Sequence, residues 1–494
     1  MVSINSPDFT QQLLSIDYQV KQESENASKN FPVTNFVESR DNLIAYLSLR
    51  KKLTSEISEQ LTNKGLAALD RSAPHVLYTL EKILKNLDAQ VIPSSSLHAP
   101  TPEAARQNVQ HRTYGLFGNT NPGLQSSIMV TLDAKSIHEP VLMESLLLNG
   151  MNVARINCAH HHPEVWLQII GALRNAENKL RDEGNYQGRT CKIFMDLAGP
   201  KVRIGDLQSA NIFVKKGDTL RLYLDPQQIG HQETTDQPAG VPVTLVKAFR
   251  NVRAKDRIFI DDGKIMGIVH HVTKEYVEVE ILSPAIAPYQ VKPGKGINLP
   301  DSLLSLNVPA LTEKDIQDLS FVTKHADIAG ISFVHSPQDL RKLRVELDRK
   351  AAGDLAVVAK IETKDAIHQL SRIIIEGLNF NKFGIMIARG DLAVEVGPEN
   401  LSFVQEEILT ICSAAHVPVI WATGVLEKLT KKGIAARSEI TDVSQAKRAD
   451  CVMLNKGLFI NEALIMLAKL LKEESNFPRK DIAFGSHIAQ FGVL

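Results

Sequence analysis

No stretch of this chain is apolar for long enough to span a membrane. Its start, Met1-Val-Ser-Ile-Asn-Ser-Pro-Asp8, has neither a basic n-region nor an apolar h-region, so a secretory signal is not expected. An excess of either charge is missing as well. Lys+Arg is 56 and Asp+Glu is 56, which removes any global electrostatic case for nucleic acid or an anionic membrane as a partner. Cysteine is scarce: Cys158, Cys191, Cys412 and Cys451 mostly sit in or beside apolar runs. They read as reduced, buried residues of a cytoplasmic protein, not as a disulfide framework. There is no G-x-x-x-x-G-K-[ST] and no well-placed G-x-G-x-x-G, so neither a P-loop nor a Rossmann nucleotide site is supported. What is present is 494 residues, 44% hydrophobic and 23% charged, ample for a large core. Length alone gives a prior of about three domains.

Composition and periodicity divide the chain. Residues 1–90 read as all-helical, with Leu43, Ile44, Tyr46, Leu47 and Leu49 in a helix-period stretch that Ile57 and Leu61 extend. A second helix is predicted around Val76, Leu77, Leu80, Ile83, Leu84 and Leu87. Residues 91–125, rich in Pro, Ser, Asn and Gln, read as a linker. From residue 126 strands and helices alternate. The candidate strands are Ile128–Leu132, Asn152–Asn157, Lys192–Leu197, Ile328–Val334, Leu355–Glu362, Gly384–Arg389, Val417–Thr423 and Cys451–Asn455. Each but the third is followed by a helical pattern, which predicts an α/β protein built on a (β/α)8 TIM barrel. The third connection is too long for a βα unit. Within it, residues 204–298 alternate with period two between turn signals and read as a small inserted β-barrel domain, a lid. The barrel is thus expected over 126–203 and 299–475, with a C-terminal tail at 476–494.

Charged side chains collect at the predicted strand ends. Lys360 and Glu362 are two apart on one strand and face the same side. Asp391 closes the next βα unit, in Ala388-Arg389-Gly390-Asp391. A barrel would bring one ammonium and two carboxylates together, a set able to hold a hard divalent cation and to neutralise developing negative charge. A Lys–Glu salt bridge plugging the barrel mouth is the plainer alternative. Arg155 and Arg203 end or follow the second and third strands, and the arginine fork suits phosphate oxygens. The run His160-His161-His162 with Cys158 makes a poor zinc site, because no second Cys/His pair has ligand spacing.

Residues 126–475 resemble pyruvate kinase. The likeness is carried by Gly150-Met-Asn-Val-Ala-Arg-Ile-Asn157 with His160, by Asp196 with Gly199-Pro200 and Arg203, and by Asp261-Asp262-Gly263. It continues in Lys295-Gly-Ile-Asn-Leu-Pro300, Thr312–Leu319, Lys360-Ile-Glu362, Ile385–Leu392, Pro418–Thr423 and Arg437–Val443. The order and spacing of these segments are more specific than any one of them. The resemblance implies a glycolytic phosphotransferase that turns phosphoenolpyruvate and ADP into pyruvate and ATP. It implies that Glu362 and Asp391 hold Mg2+ or Mn2+. Lys360 would stabilise charge on the migrating phosphoryl group, and Thr423 would lie near the carbon that is protonated. Arg155 and Arg203 would grip phosphate, and the backbone N–H groups around Ala388, Arg389, Gly390 and Asp391 would receive the substrate carboxylate. Asn157, His160 and Lys295 would lie on the nucleotide side.

Departures from the family pattern carry information too. Ala159, Leu197-Ala198 and Lys201 replace the family's Ser, Thr-Lys and Glu, removing side-chain oxygens that bind K+ and adding a cation. Lys201, with Asn157 and Asp196 nearby, would supply the charge that K+ otherwise supplies, so K+ is not expected to be required. Asp133-Ala134-Lys135, Gly424-Val425 and Asn455-Lys456-Gly457-Leu458 replace Gly-Pro-Ala, Gln-Met and Ser-Gly-Glu-Thr on or near the nucleotide side. The family's C-terminal regulatory domain is not expected. Two other functions stay open: a metal-dependent barrel lyase acting on pyruvate or oxaloacetate enolates, and a binding or scaffold protein. A homo-oligomer through the barrel or the N-terminal helices is also open.

Overall fold

The computed structural model describes residues 9–472 except 67–68, 92–95, 122, 187–189, 209–211 and 303–307. The predicted tail at 476–494 lies outside the described residues. Eight parallel strands close into a barrel: Ser127–Leu132, Met151–Asn157, Lys192–Asp196, Ile328–Ile331, Ala356–Ile361, Phe383–Ala388, Val419–Ala422 and Cys451–Leu454. They are called the first to eighth strands below. Each coincides with a predicted strand to within a few residues. They are near-continuous apolar runs because both faces are covered, one by the barrel interior and one by helices. The first strand pairs with the eighth, Val130 opposite Leu454, which closes the ring.

The interior is filled by Met129, Val153, Phe194, Ile328, Ala356, Val358, Met386, Ile420, Ala422, Cys451 and Met453. Leu116 and Phe117 complete this cluster, and they belong to no strand. They end the helix Pro102–Phe117, which lies inside the predicted linker 91–125 and corrects that reading. Thr101 caps this helix by accepting from Ala104 N, and Pro102 opens it. Gly384 makes room for the plug, since a Cβ there would stand 2.9 Å from Leu116 Cδ1.

The N-terminal region is helical, in Phe9–Asn30, Val37–Lys52, Ser55–Asn63 and Val76–Asn86. The stretch read as one helix through Leu61 is two, because Thr54 caps a new start by accepting from Ile57 N. These helices pack onto the outside of the barrel in one continuous apolar core. Polar contacts fix the seat. Arg112 donates to the carbonyls of Ala415 (2.9 Å) and His416 (3.0 Å) and to Ser39 Oγ (2.6 Å). Among the described residues no helix is long and apolar enough to cross a membrane.

The insertion after the third strand forms a six-stranded sheet in the order Ile297–Asn298, Arg257–Ile260, Ile265–Val272, Tyr276–Ser283, Thr219–Tyr223, Ala239–Pro242. A two-stranded sheet of Phe213–Val214 and Tyr289–Gln290 lies beside it. Its apolar residues, among them Leu220, Leu222, Val241, Val277 and Val279, form a core separate from that of the barrel. The chain enters and leaves at one place, since Arg203 bridges Gly296.

Candidate active site

The C-terminal ends of the barrel strands and the base of the insertion enclose a cavity of about 430 Å3. This is the end of the barrel where such sites are built. Arg155, Asn157, His160, Asp196, Lys201, Arg203, Lys360, Glu362, Ala388, Gly390, Asp391 and Thr423 all line it. Two predicted residues do not reach it. Lys295 is drawn off by Asp261 (Nζ to Oδ1, 2.9 Å). Arg389 turns its side chain away, donating to the carbonyls of Ala422 (3.0 Å) and Thr423 (2.5 Å), pairing with Asp442 and lying over the Trp421 ring. Its side chain braces the sixth and seventh strands; only its backbone stands at the helix start.

The fifth strand sets the centre. Lys360 and Glu362 project together as the period of two requires, with Nζ 3.2 Å from Oε1. Lys360 also reaches Asp196 Oδ1 at 3.1 Å and donates to Ser332 Oγ at 2.8 Å. Burial alone would lower the pKa of this ammonium, but Asp196 and Glu362 outweigh it and hold the pKa above its ordinary value. Asp196 is likewise held below the carboxylate range, against its burial, by Lys360 and Arg155. Arg155 forks onto Asp196 Oδ2 (2.9 and 2.6 Å) and donates to Thr131 Oγ1 (3.0 Å). Ser332 and Thr131 were missed by sequence reasoning, because a lone hydroxyl in or just after a strand carries no pattern.

Glu362 Oε2 accepts from Phe333 N at 2.6 Å, and Phe333 takes a left-handed φ of 54° to present that N–H. Burial raises the pKa of Glu362; Lys360 opposes the rise and the charge of Asp391 adds to it. Two acidic side chains that face one cavity and repel one another suit a hard divalent cation, so this donor set fits Mg2+ or Mn2+. Among the described residues no group of three or more His, Cys, Asp and Glu could hold a metal.

Lys201 lines the same cavity as Asn157 and Asp196. Its Nζ sits on Asp391, 2.8 and 3.0 Å from the two carboxylate oxygens, and 3.9 Å from Asp262. Asn157 Oδ1 accepts from Ala159 N at 3.0 Å. Asn298, from the base of the insertion, donates to Asp391 Oδ1 at 3.0 Å and was also missed. Burial would raise the pKa of Asp391, yet Lys201 and Asn298 hold it low.

Asp391 lies in the first turn of the helix Arg389–Val396, which starts directly at the end of the sixth strand. Its free N–H groups and dipole make an anion seat. Gly390 is needed there, since a Cβ would meet Thr423 Cγ2 at 3.0 Å. Thr423 itself is left-handed, φ 68°, where the seventh strand breaks toward Gly424. Arg203 donates to Gly294 O at 2.8 Å and faces the cavity from the insertion side. The pKa of His160 is lowered by burial and then by Lys456, Arg203, His161 and Arg155, which marks that wall as electropositive.

The comparisons with known proteins agree with this geometry. Residues 124–459 match the family described as pyruvate kinase, barrel domain. A pyruvate kinase of Thermococcus litoralis is 33% identical over 363 residues, covering 72% of this chain and 71% of its own. One of Staphylococcus haemolyticus is 30% identical over 349 residues, covering 69% of this chain and 55% of its own. The match with the barrel-domain family extends over most of the described barrel, and on that ground the chain belongs to the pyruvate kinase family.

Proposed function

We propose that this protein transfers the phosphoryl group of phosphoenolpyruvate to ADP, giving pyruvate and ATP in glycolysis, with Mg2+ or Mn2+ and without a need for K+. The convergence of Lys360, Glu362, Asp391 and Arg155 on one cavity carries the reading. The bond between phosphorus and the enol oxygen breaks, and a bond forms from phosphorus to a terminal oxygen of the diphosphate. The enolate left behind takes a proton at its methylene carbon. Glu362 and Asp391 would hold the divalent cation, which supplies positive charge to carboxylate and phosphoryl oxygens. Lys360, kept charged by its carboxylate neighbours, neutralises charge on the moving phosphoryl group and the enolate oxygen. Arg155 and Arg203 hold phosphoryl oxygens, the helix start at Ala388–Asp391 receives the substrate carboxylate, and Thr423 stands by the methylene carbon. Arg203 favours the transferase over a lyase, because enolate chemistry alone needs no second phosphate clamp. A cytoplasmic setting suits these water-borne substrates.

Pyruvate formation from phosphoenolpyruvate, with and without ADP, tests the reading. Activity that requires both ADP and a divalent cation is expected. In Lys360→Met, kcat should fall ~10^3-fold with a smaller change in KM, as when other electrostatic stabilisers are removed. Pyruvate released at equal rates without ADP would turn the assignment toward a lyase or phosphatase.

A further inference from the structure

The two segments after the first and eighth strands depart from the family pattern, and they touch. Lys456 Nζ lies 3.4 Å from Asp133 Oδ2, with the lysine half exposed. Their strands are hydrogen-bonded neighbours, so the residues just beyond them emerge side by side. Both line the cavity. In the ring of strands the first stands opposite the fifth, which carries Lys360 and Glu362. Of the charges acting on His160, that of Lys456 is the largest, ahead of Arg203, His161 and Arg155. Lys431, held by Glu427, adds a further cation to the same lining. The mouth opposite the proposed metal carboxylates is therefore basic, and the half-exposed Lys456 is parked on a single carboxylate.

We infer that Asp133 and Lys456 form a charge latch for the phosphoryl acceptor: Asp133 stores the Lys456 ammonium, and the anionic oxygens of a nucleoside diphosphate take it over. The inference rests on the phosphotransferase reading. A half-exposed ion pair is weakly held, and a diphosphate carries more negative charge than one carboxylate, so exchange is favourable. Lys456 determines acceptor affinity and has no part in holding phosphoenolpyruvate. The family pattern has glycine at both of these positions, which offers no such charge, so the acceptor site of this chain is built from a different contact.

The test is calorimetric titration of the full chain with ADP in the presence of Mg2+, together with KM for ADP and for phosphoenolpyruvate. In Lys456→Ala, loss of one charge-assisted phosphate contact should weaken ADP binding about tenfold and raise KM for ADP alike. KM for phosphoenolpyruvate should stay within about twofold, as expected for a group that touches only the acceptor. Lys456→Arg should restore ADP binding. Asp133→Asn, which frees the ammonium, should tighten it. Unchanged ADP affinity in Lys456→Ala, or an equal rise in both KM values, overturns the latch. ADP binding that depends on Lys456 in a protein that makes no pyruvate would keep the latch and defeat the phosphotransferase reading.

Discussion

Lys201 is the residue whose placement changes the argument most. Its ammonium neutralises Asp391 directly at 2.8 Å, so the fixed charge acts on a proposed metal ligand. Activity should be nearly equal in K+ and in a bulky organic cation, and Lys201→Glu should cripple it by setting a third carboxylate against Asp391 and Asp262. Strong K+ activation of the unaltered protein, in a steady-state assay at fixed ionic strength, would refute this. Glu395 offers a separate test. It is buried, and among the described residues neither its Oε2 nor Asn298 Oδ1 has a hydrogen-bond partner. Burial, then Asp391, pushes the pKa of Glu395 to about 8 from its ordinary 4.5. A folded-state value above the unfolded one means stability from this group is full below pH 4.5 and is lost as pH rises through 8, by about 1.4 kcal/mol per unit in between. Urea midpoints at pH 6 and pH 8 should therefore fall in the wild type and fall less in Glu395→Gln. The spacing of Lys360 and Glu362 was legible because a strand's period of two is unconditional. The partners Ser332, Asn298 and Glu395 were not, since they depend on which segments the fold brings near.

At the scale of elements, the barrel strands were readable from sequence because parallel strands must be apolar on both faces. The helix Pro102–Phe117 was not, although Thr101-Pro102-Glu103 is a helix-start signal. Its polar residues, Gln107, Asn108, Gln110 and Arg112 among them, resemble a linker's composition. Arg112 is polar by type yet buried, its pKa lowered to about 10 by desolvation, because it links the N-terminal helices to the barrel. Its last turn carries Leu116 and Phe117, which join the cluster filling the barrel interior. Phe117→Ala should cost about 3–5 kcal/mol, as truncation of a buried aromatic leaves a cavity the closed strands cannot collapse into. Chemical denaturation measures this; a loss under about 1 kcal/mol, the level of an ordinary surface change, would mean the plug is not part of the core.

Outside the barrel interior the described residues form two cores with no residue in common, one of the barrel with its N-terminal helices and one of the insertion. The insertion leaves and rejoins at adjacent points: Ile204 N donates to Lys295 O at 2.9 Å, and Arg203 bridges Gly296. Excising residues 205–294 and joining the ends directly should therefore leave the barrel folded, because no strand of the ring and no residue of its interior is removed. Turnover should nonetheless fall steeply. Asp262 leaves the cavity lining with the insertion, and Arg203 loses its carbonyl partner Gly294. Asn298 and Lys201 remain, so Asp391 keeps its partners and the divalent cation should still bind. Far-ultraviolet circular dichroism, a melting curve and Mn2+ binding followed by paramagnetic relaxation read these outcomes separately. A cooperative melt with Mn2+ bound and little pyruvate formed is the expected combination. If the excised protein failed to melt cooperatively, the two cores would be one folding unit; if it kept full turnover, the insertion would have no part in the chemistry.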